Sequence, residues 1–341
     1  MSWRACFLAM LTLLALSAVL PIAAQPRSDR VERGIGWLER GDLRQALRAF
    51  EEAASLRPDD ARARALCGWT RLLISLEPPL RPRSTRRPAS TPDTRPEAKA
   101  DTKERERERQ RALADLDRAV ELDPRKPAVY AFRGQAQAML GNPQRALDDL
   151  NRALARDPRS TEILRFRAAL YEGALDSPLR ALADYARCVE LDPDSALAYN
   201  DRARVLTRLE RFEEALADLR QALRIDPVLP LTWCNRAATR LTMREPSSAL
   251  PDAQRALELA PQSVRALHLG GVALIELGRP AEAERLLTRY IRARPDDAEG
   301  WRARARAWRE LGRRDLAVED DAESARLPPA TSRTALPRPS I

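Results

Sequence analysis

The sequence predicts an all-α chain whose antiparallel helical hairpins stack side by side into a solenoid. Eight prolines carry the first part of that expectation: Pro58, Pro124, Pro158, Pro193, Pro227, Pro261, Pro295 and Pro329 each close a helical stretch, at intervals of 66, 34, 35, 34, 34, 34 and 34 residues. Within an interval, apolar and small residues recur at helical spacing on two separate stretches. In four intervals a glycine stands between the stretches, at Gly41, Gly141, Gly278 and Gly312. A period near 34 gives each unit a neighbour against which to bury its apolar face, so 341 residues need no single central core.

The clearest unit runs from Ala196 to Val228. Tyr199, Ala203 and Leu206 share one helix face, and Ala215, Leu219 and Ala222 form the stripe of a second helix that ends near Pro227. Small residues at the points of closest approach let the two backbones meet, and larger residues fill the space beside them. The same register returns Trp301, Arg304, Ala305, Trp308, Gly312, Ala317 and Pro329, and also Trp233, Arg236, Ala237, Ala249, Ala253, Ala256 and Pro261. Leu267, Gly271, Gly278, Ala283, Leu287 and Pro295 make a further unit, as do Tyr130, Gly134, Gly141, Ala146, Leu150 and Pro158. Gly34, Trp37, Gly41, Ala46, Phe50, Ala53 and Pro58 open the series.

These positions resemble the tetratricopeptide repeat, and the resemblance covers nearly all of residues 27–329. It implies a right-handed superhelical solenoid of eight hairpins. It further implies that the first helix of each hairpin lines a concave face that takes extended peptides or partner helices.

Several positions depart from the regular pattern. The unit from Thr161 to Pro193 has one extra residue, which fits the turn around Ala174 to Ser177. Pro251 lies inside a second helix, where the missing N–H predicts a kink or a shifted start. The second unit is interrupted: Ala61 to Ser75 reads as its first helix and Gln110 to Leu122 as its second, with a flexible insertion at about 78–109 between them. The later part of that insertion, Glu104 to Arg109, alternates in charge and can extend the second helix. Asp60, Ser160, Ser195, Ser263 and Asp297 are placed to cap first helices.

Residues 1–24 read as a secretory signal peptide, with Arg4, an apolar run from Ala5 to Leu20 and cleavage before Gln25, which predicts export to the periplasm or extracellular space. An uncleaved N-terminal anchor is the competing reading, although the run is short for a bilayer crossing. Residues 330–341 read as a disordered tail. Without the first 24 residues the chain holds 58 basic and 50 acidic residues, interleaved along the helices, and nucleic acid is not a predicted partner. Cys67, Cys188 and Cys234 have no metal-like or redox-like spacing and read as small apolar fillers.

No phosphate loop, dinucleotide fingerprint, metalloprotease motif or serine nucleophile elbow is present, and His268 is the only histidine. The expectation is a non-catalytic protein-binding or peptide-binding scaffold in an exported or envelope-associated assembly, with no cofactor. A groove-based enzyme and a self-associating structural protein are the alternatives. The resemblance places Asn200, Arg204, Asn235, Arg265 and His268 on the inward side of three consecutive first helices. In that reading Arg204 and Arg265 hold a carboxylate, and Asn200 and Asn235 pair with peptide groups of the partner. The set partly looks like the family's carboxylate clamp: Asn235 and Arg265 match it, whereas Asn200, Arg204 and Leu269 depart from it. Met139, Val272 and Ile275 are apolar groove positions for a partner helix or an extended apolar segment.

Overall fold

A computed structural model of the chain describes residues 29–77 and 96–327, so the expected signal at 1–24, the first part of the insertion and the tail at 330–341 lie outside the described residues. Sixteen helices and no strand occur among the described residues. They form eight consecutive pairs: α1 (Asp29–Glu39) with α2 (Leu43–Leu56), α3 (Ala61–Leu76) with α4 (Pro96–Leu122), α5 (Pro127–Met139) with α6 (Pro143–Arg156) and α7 (Thr161–Glu172) with α8 (Pro178–Leu191). The series continues with α9 (Ala196–Arg208) and α10 (Phe212–Ile225), α11 (Pro230–Thr242) and α12 (Pro246–Leu259), α13 (Val264–Glu276) and α14 (Pro280–Ala293), and α15 (Ala298–Glu310) and α16 (Arg314–Arg326).

The chain divides into two compact units, Met1–Phe166 and Arg167–Ile341. In each unit every hairpin packs against the next, and first helices also lie against the first helices of neighbouring hairpins. Every second helix buries an alanine at the same place before its closing proline: Ala46, Ala112, Ala146, Ala181, Ala215, Ala249, Ala283 and Ala317, none more than 2% exposed. A side chain limited to one methyl lets the two helices of a pair come close without a void. Larger residues lock neighbouring hairpins together, as where Leu250 of α12, Leu274 and Ile275 of α13, Leu287 of α14 and Ala307 of α15 share one cluster.

Backbone geometry explains the starts and turns. Asp60, Ser160, Ser195, Ser263 and Asp297 each accept a hydrogen bond from a backbone N–H in the first turn of the helix that follows, at 3.0–3.3 Å. Gly41, Gly141, Gly278 and Gly312 hold φ between +68° and +81°, the left-handed conformation that glycine adopts without steric cost. The corresponding turn position is Asp176, Glu210 or Arg244 in three other hairpins, where the side chain tolerates φ of 45–61°. The extra residue of the α7–α8 hairpin falls in its longer turn at 173–177.

Two expectations are corrected. Pro251 does not shift the start of α12: the helix begins at Pro246 and runs through Pro251, which sits on the exposed face. The insertion expected at about 78–109 is helical from Pro96 onward, because α4 reaches back through that part. Ion pairs one turn apart, Glu104–Arg107 at 3.6 Å and Glu106–Arg109 at 3.5 Å, support the extension along its surface. Glu108 also meets Arg71 of α3 at 3.1 Å, and Arg105 donates to the Glu77 carbonyl, so tertiary contacts anchor it.

The insertion does not prevent α3 and α4 from closing as a pair. A Cβ added at Gly68 would stand 2.6 Å from the Ala112 carbonyl oxygen and 2.8 Å from Leu116 Cγ. At Gly270 the nearest atom would be the tip of Leu286, at 3.0 Å. Gly68→Ala is therefore expected to destabilise the chain by about 2 kcal/mol through overpacking against backbone. Gly270→Ala should cost less than about 1 kcal/mol, since a side chain can yield and alanine favours the helix. Urea unfolding of both variants checks the order.

Candidate functional site

The strongest polar contacts lie within hairpins. Arg133 forks onto Asp149 at 2.8 and 2.7 Å, Arg167 onto Asp184 at 2.8 and 2.7 Å, and Arg202 onto Asp218 at 2.7 and 2.6 Å. Arg236 holds Asp252 at 2.9 and 2.7 Å, and Arg304 holds Asp320 at 2.8 and 2.7 Å. All five aspartates are at most 7% exposed. Hydrogen bonds to the aspartate, working against desolvation, raise the guanidiniums of Arg133, Arg167 and Arg202 above their ordinary range. Four of the arginines also lie over an aromatic ring one turn earlier: Arg133 over Tyr130, Arg202 over Tyr199, Arg236 over Trp233 and Arg304 over Trp301. Three of those rings are fixed in turn, because Tyr130, Trp233 and Trp301 donate to the carbonyls of Pro124, Pro227 and Pro295 at 3.2, 2.9 and 3.0 Å.

These forks were missed in reading the sequence, although the signal was available: an arginine sixteen residues before an aspartate in four units, and seventeen in the unit with the extra residue. They occupy charges that a partner would otherwise meet. The expected site residues lie on the first helices of the second compact unit.

There the expected site residues separate into different roles. Asn200 is wholly buried; its amide donates to the Ala196 carbonyl at 3.0 Å and to Thr232 of α11 at 2.7 Å. Asn235, 4% exposed, donates to Asn200 Oδ1 at 3.0 Å, while Thr207 and Thr239 share a hydrogen bond at 2.8 Å. This polar ladder joins α9 to α11. The expected pairing of Asn200 with a partner's peptide groups is thus corrected, because its amide is enclosed and spent between two helices.

Arg204 is also engaged. Its guanidinium meets Glu172 of α7, Asp201 at 3.7 Å and the Tyr185 hydroxyl at 3.2 Å. Burial opposes its charge, yet Tyr185, Glu172 and Asp201 outweigh that cost and hold its pKa above the ordinary value. The expectation that it grips a partner's carboxylate is corrected: carboxylates of this chain already occupy it. His268 lies beside the Tyr290 ring, with centroids 5.1 Å apart. Burial lowers its pKa, against the opposing fields of Glu299 and Asp297, and favours the neutral ring. Ile275 belongs to the core at 3% exposure and is not a groove position, whereas Met139 and Val272 are half-buried.

Arg265 differs from the others. It is half-buried on α13 and has neither an ion pair nor a hydrogen bond among the described residues. Burial lowers its pKa, Cys234 opposes that shift, and the like charge of Arg204 adds to it. Three buried atoms of the same region also lack partners: Arg204 Nε, Glu172 Oε2 and Asn235 Oδ1. A half-buried cation without a counter-ion is suited to pairing with an anionic group.

The other candidate chemistries find little support in the geometry. Cys67, Cys188 and Cys234 are buried free thiols, and burial pushes the Cys67 thiol up to about 12. Among the described residues no group of three or more His, Cys, Asp or Glu side chains is arranged to hold a metal ion. No described helix is long and apolar enough to cross a membrane.

Family models described as tetratricopeptide repeat match residues 33–72 and 97–161, residues 196–227, and residues 241–307. The chain belongs to the tetratricopeptide repeat family. Its fold is similar to that of yeast Tom70, with a TM-score of 0.60 at 17% identity over 94% of this chain and 66% of that one; the match thus spans just under two thirds of Tom70. A tetratricopeptide repeat protein from Parabacteroides merdae is similar with a TM-score of 0.55 at 16% identity, over 87% of this chain and 98% of that one. Pseudomonas aeruginosa pilF is similar with a TM-score of 0.51 at 21% identity, over 60% and 92% of the two chains. No protein of curated function matches the sequence.

Asp252 tests the polar framework, since it serves both Arg236 and Arg240, the latter at 2.7 Å, and is 2% exposed. Asp252→Ala leaves two cations without their carboxylate and is expected to lower stability by about 3 kcal/mol. Arg309 and Asp321 form an exposed pair, and Asp321→Ala should cost less than about 1 kcal/mol. Paired thermal unfolding curves separate the two cases.

Proposed function

We propose that this chain is a non-catalytic scaffold that binds an extended, acidic segment of a partner protein on the first helices of its second unit. Arg265 is the observation that carries the reading. Arg202, Arg204 and Arg236 on the neighbouring first helices are neutralised internally, and Arg265 keeps its charge available while held half-buried on a rigid helix. A carboxylate arriving there gains a charge-assisted hydrogen bond where solvent screening is reduced, and little side-chain entropy is lost because the helix already restricts the guanidinium.

Family membership supports a binding role, because stacked hairpins present a long surface built from rigid elements. The apolar segment at residues 1–24 supports a setting outside the cytoplasm, as part of an exported or envelope-associated assembly. Crosslinking in the native cells identifies the partner. Arg265→Ala is then expected to weaken binding of the recovered partner about tenfold, the effect of losing roughly 1.4 kcal/mol, with the melting temperature unchanged. Equal affinity of the variant and the parent contradicts the reading.

A further inference from the structure

The row in which Arg265 stands narrows the chemistry of the segment, on the footing of the binding role just proposed. Arg265 is the second residue of α13, and the second residues of the neighbouring first helices are Leu197 on α9, Leu231 on α11 and Glu299 on α15. These helices lie side by side in that order. Leu197 is 40% exposed and Leu231 is half-buried, so neither is consumed by the core. Reading across the helices, the row therefore presents two aliphatic side chains, then an unneutralised cation, then a carboxylate.

Spacing gives the row a second property. Packed helix axes stand about 8–10 Å apart. An extended chain in the polyproline II conformation has three residues per turn and rises about 3.1 Å per residue, so every third side chain returns to the same face after roughly 9 Å. A flat β-strand places same-face side chains only about 7 Å apart and falls out of step. Polyproline II also leaves its backbone groups free of internal hydrogen bonds.

We propose that Leu197, Leu231 and Arg265 form one continuous ridge that reads a polyproline II segment carrying two aliphatic residues three positions apart and a carboxylate three positions beyond. Glu299 closes the ridge and disfavours a second acid at the next step. Both leucines gain by removal from water, and the carboxylate fixes the register.

The test uses the full chain and fluorescein-labelled synthetic peptides read by anisotropy. One peptide has leucine, leucine and aspartate at every third position with proline and serine between them; one has the same residues at every second position; a third has the aspartate alone. Each is made in both sequence directions with an amidated C-terminus, and a free-carboxylate version separates an internal acid from a terminal one. The every-third peptide is expected to bind at least tenfold more tightly than the other two, in one direction. Leu231→Ser should remove that advantage without altering affinity for the aspartate-only peptide, and Arg265→Ala should weaken both. Equal affinity for the two spacings, with binding still dependent on Arg265, overturns the ridge and leaves the acidic site standing. Binding of no peptide, or binding indifferent to Arg265, overturns both. Circular dichroism melting of each variant confirms that folding is unchanged.

Discussion

A pair of helices about thirteen residues long cannot enclose its own apolar stripe, and everything else in this protein follows from that constraint. Each hairpin exposes on its flank the residues that its neighbour covers, so Trp301 of α15 packs against the cluster that Leu267 of α13 forms with Tyr290 and Ile291 of α14. Stability in such a chain is a sum of hairpins and of the contacts between adjacent hairpins. A surface shared by several first helices is then a consequence of packing, present before any partner arrives.

Polar chemistry is fitted into this scheme at two levels. Inside hairpins, an arginine forks onto a buried aspartate; between α9 and α11, asparagines and threonines replace part of the apolar contact. The α13–α14 hairpin shows that the fork is one solution to a packing problem. Gly270 stands where neighbouring units have arginine and Leu286 where they have aspartate, and the leucine occupies the space left by the missing side chain. An apolar pair of suitable volume can replace a buried ion pair with little change in stability. Arg265 stands outside both arrangements, and its charge remains unneutralised.

Much of this was legible in the chain. The prolines, the buried alanines and the capping residues act locally, through backbone geometry and steric size, and their period marks every hairpin from Gly34 to Pro329. The forks are equally periodic, yet nothing in the sequence sets Arg202 and Asp218 apart from solvated charges, because their burial depends on the partner helix. Asn200 was misread for a related reason: its place on a first helix is visible in sequence, but Thr232 and Asn235, which consume its amide, come from the next hairpin. The backward extension of α4 is held by Arg71 on α3 and by the carbonyl of Glu77 just beyond its end, whereas charge alternation alone pointed only to residues from Glu104 onward. The site was thus legible as a region, and its division into supporting and available groups was not.

If neighbouring hairpins hold one another, protection must depend on how many sides of a helix are covered. Amide hydrogen exchange on the intact chain, followed peptide by peptide, measures this most directly. The expected result within the second unit is slowest exchange in α9 to α14, whose hairpins have a hairpin on both sides, with protection falling in α15 and α16. Equal protection in every hairpin, whatever its neighbours, would contradict the account.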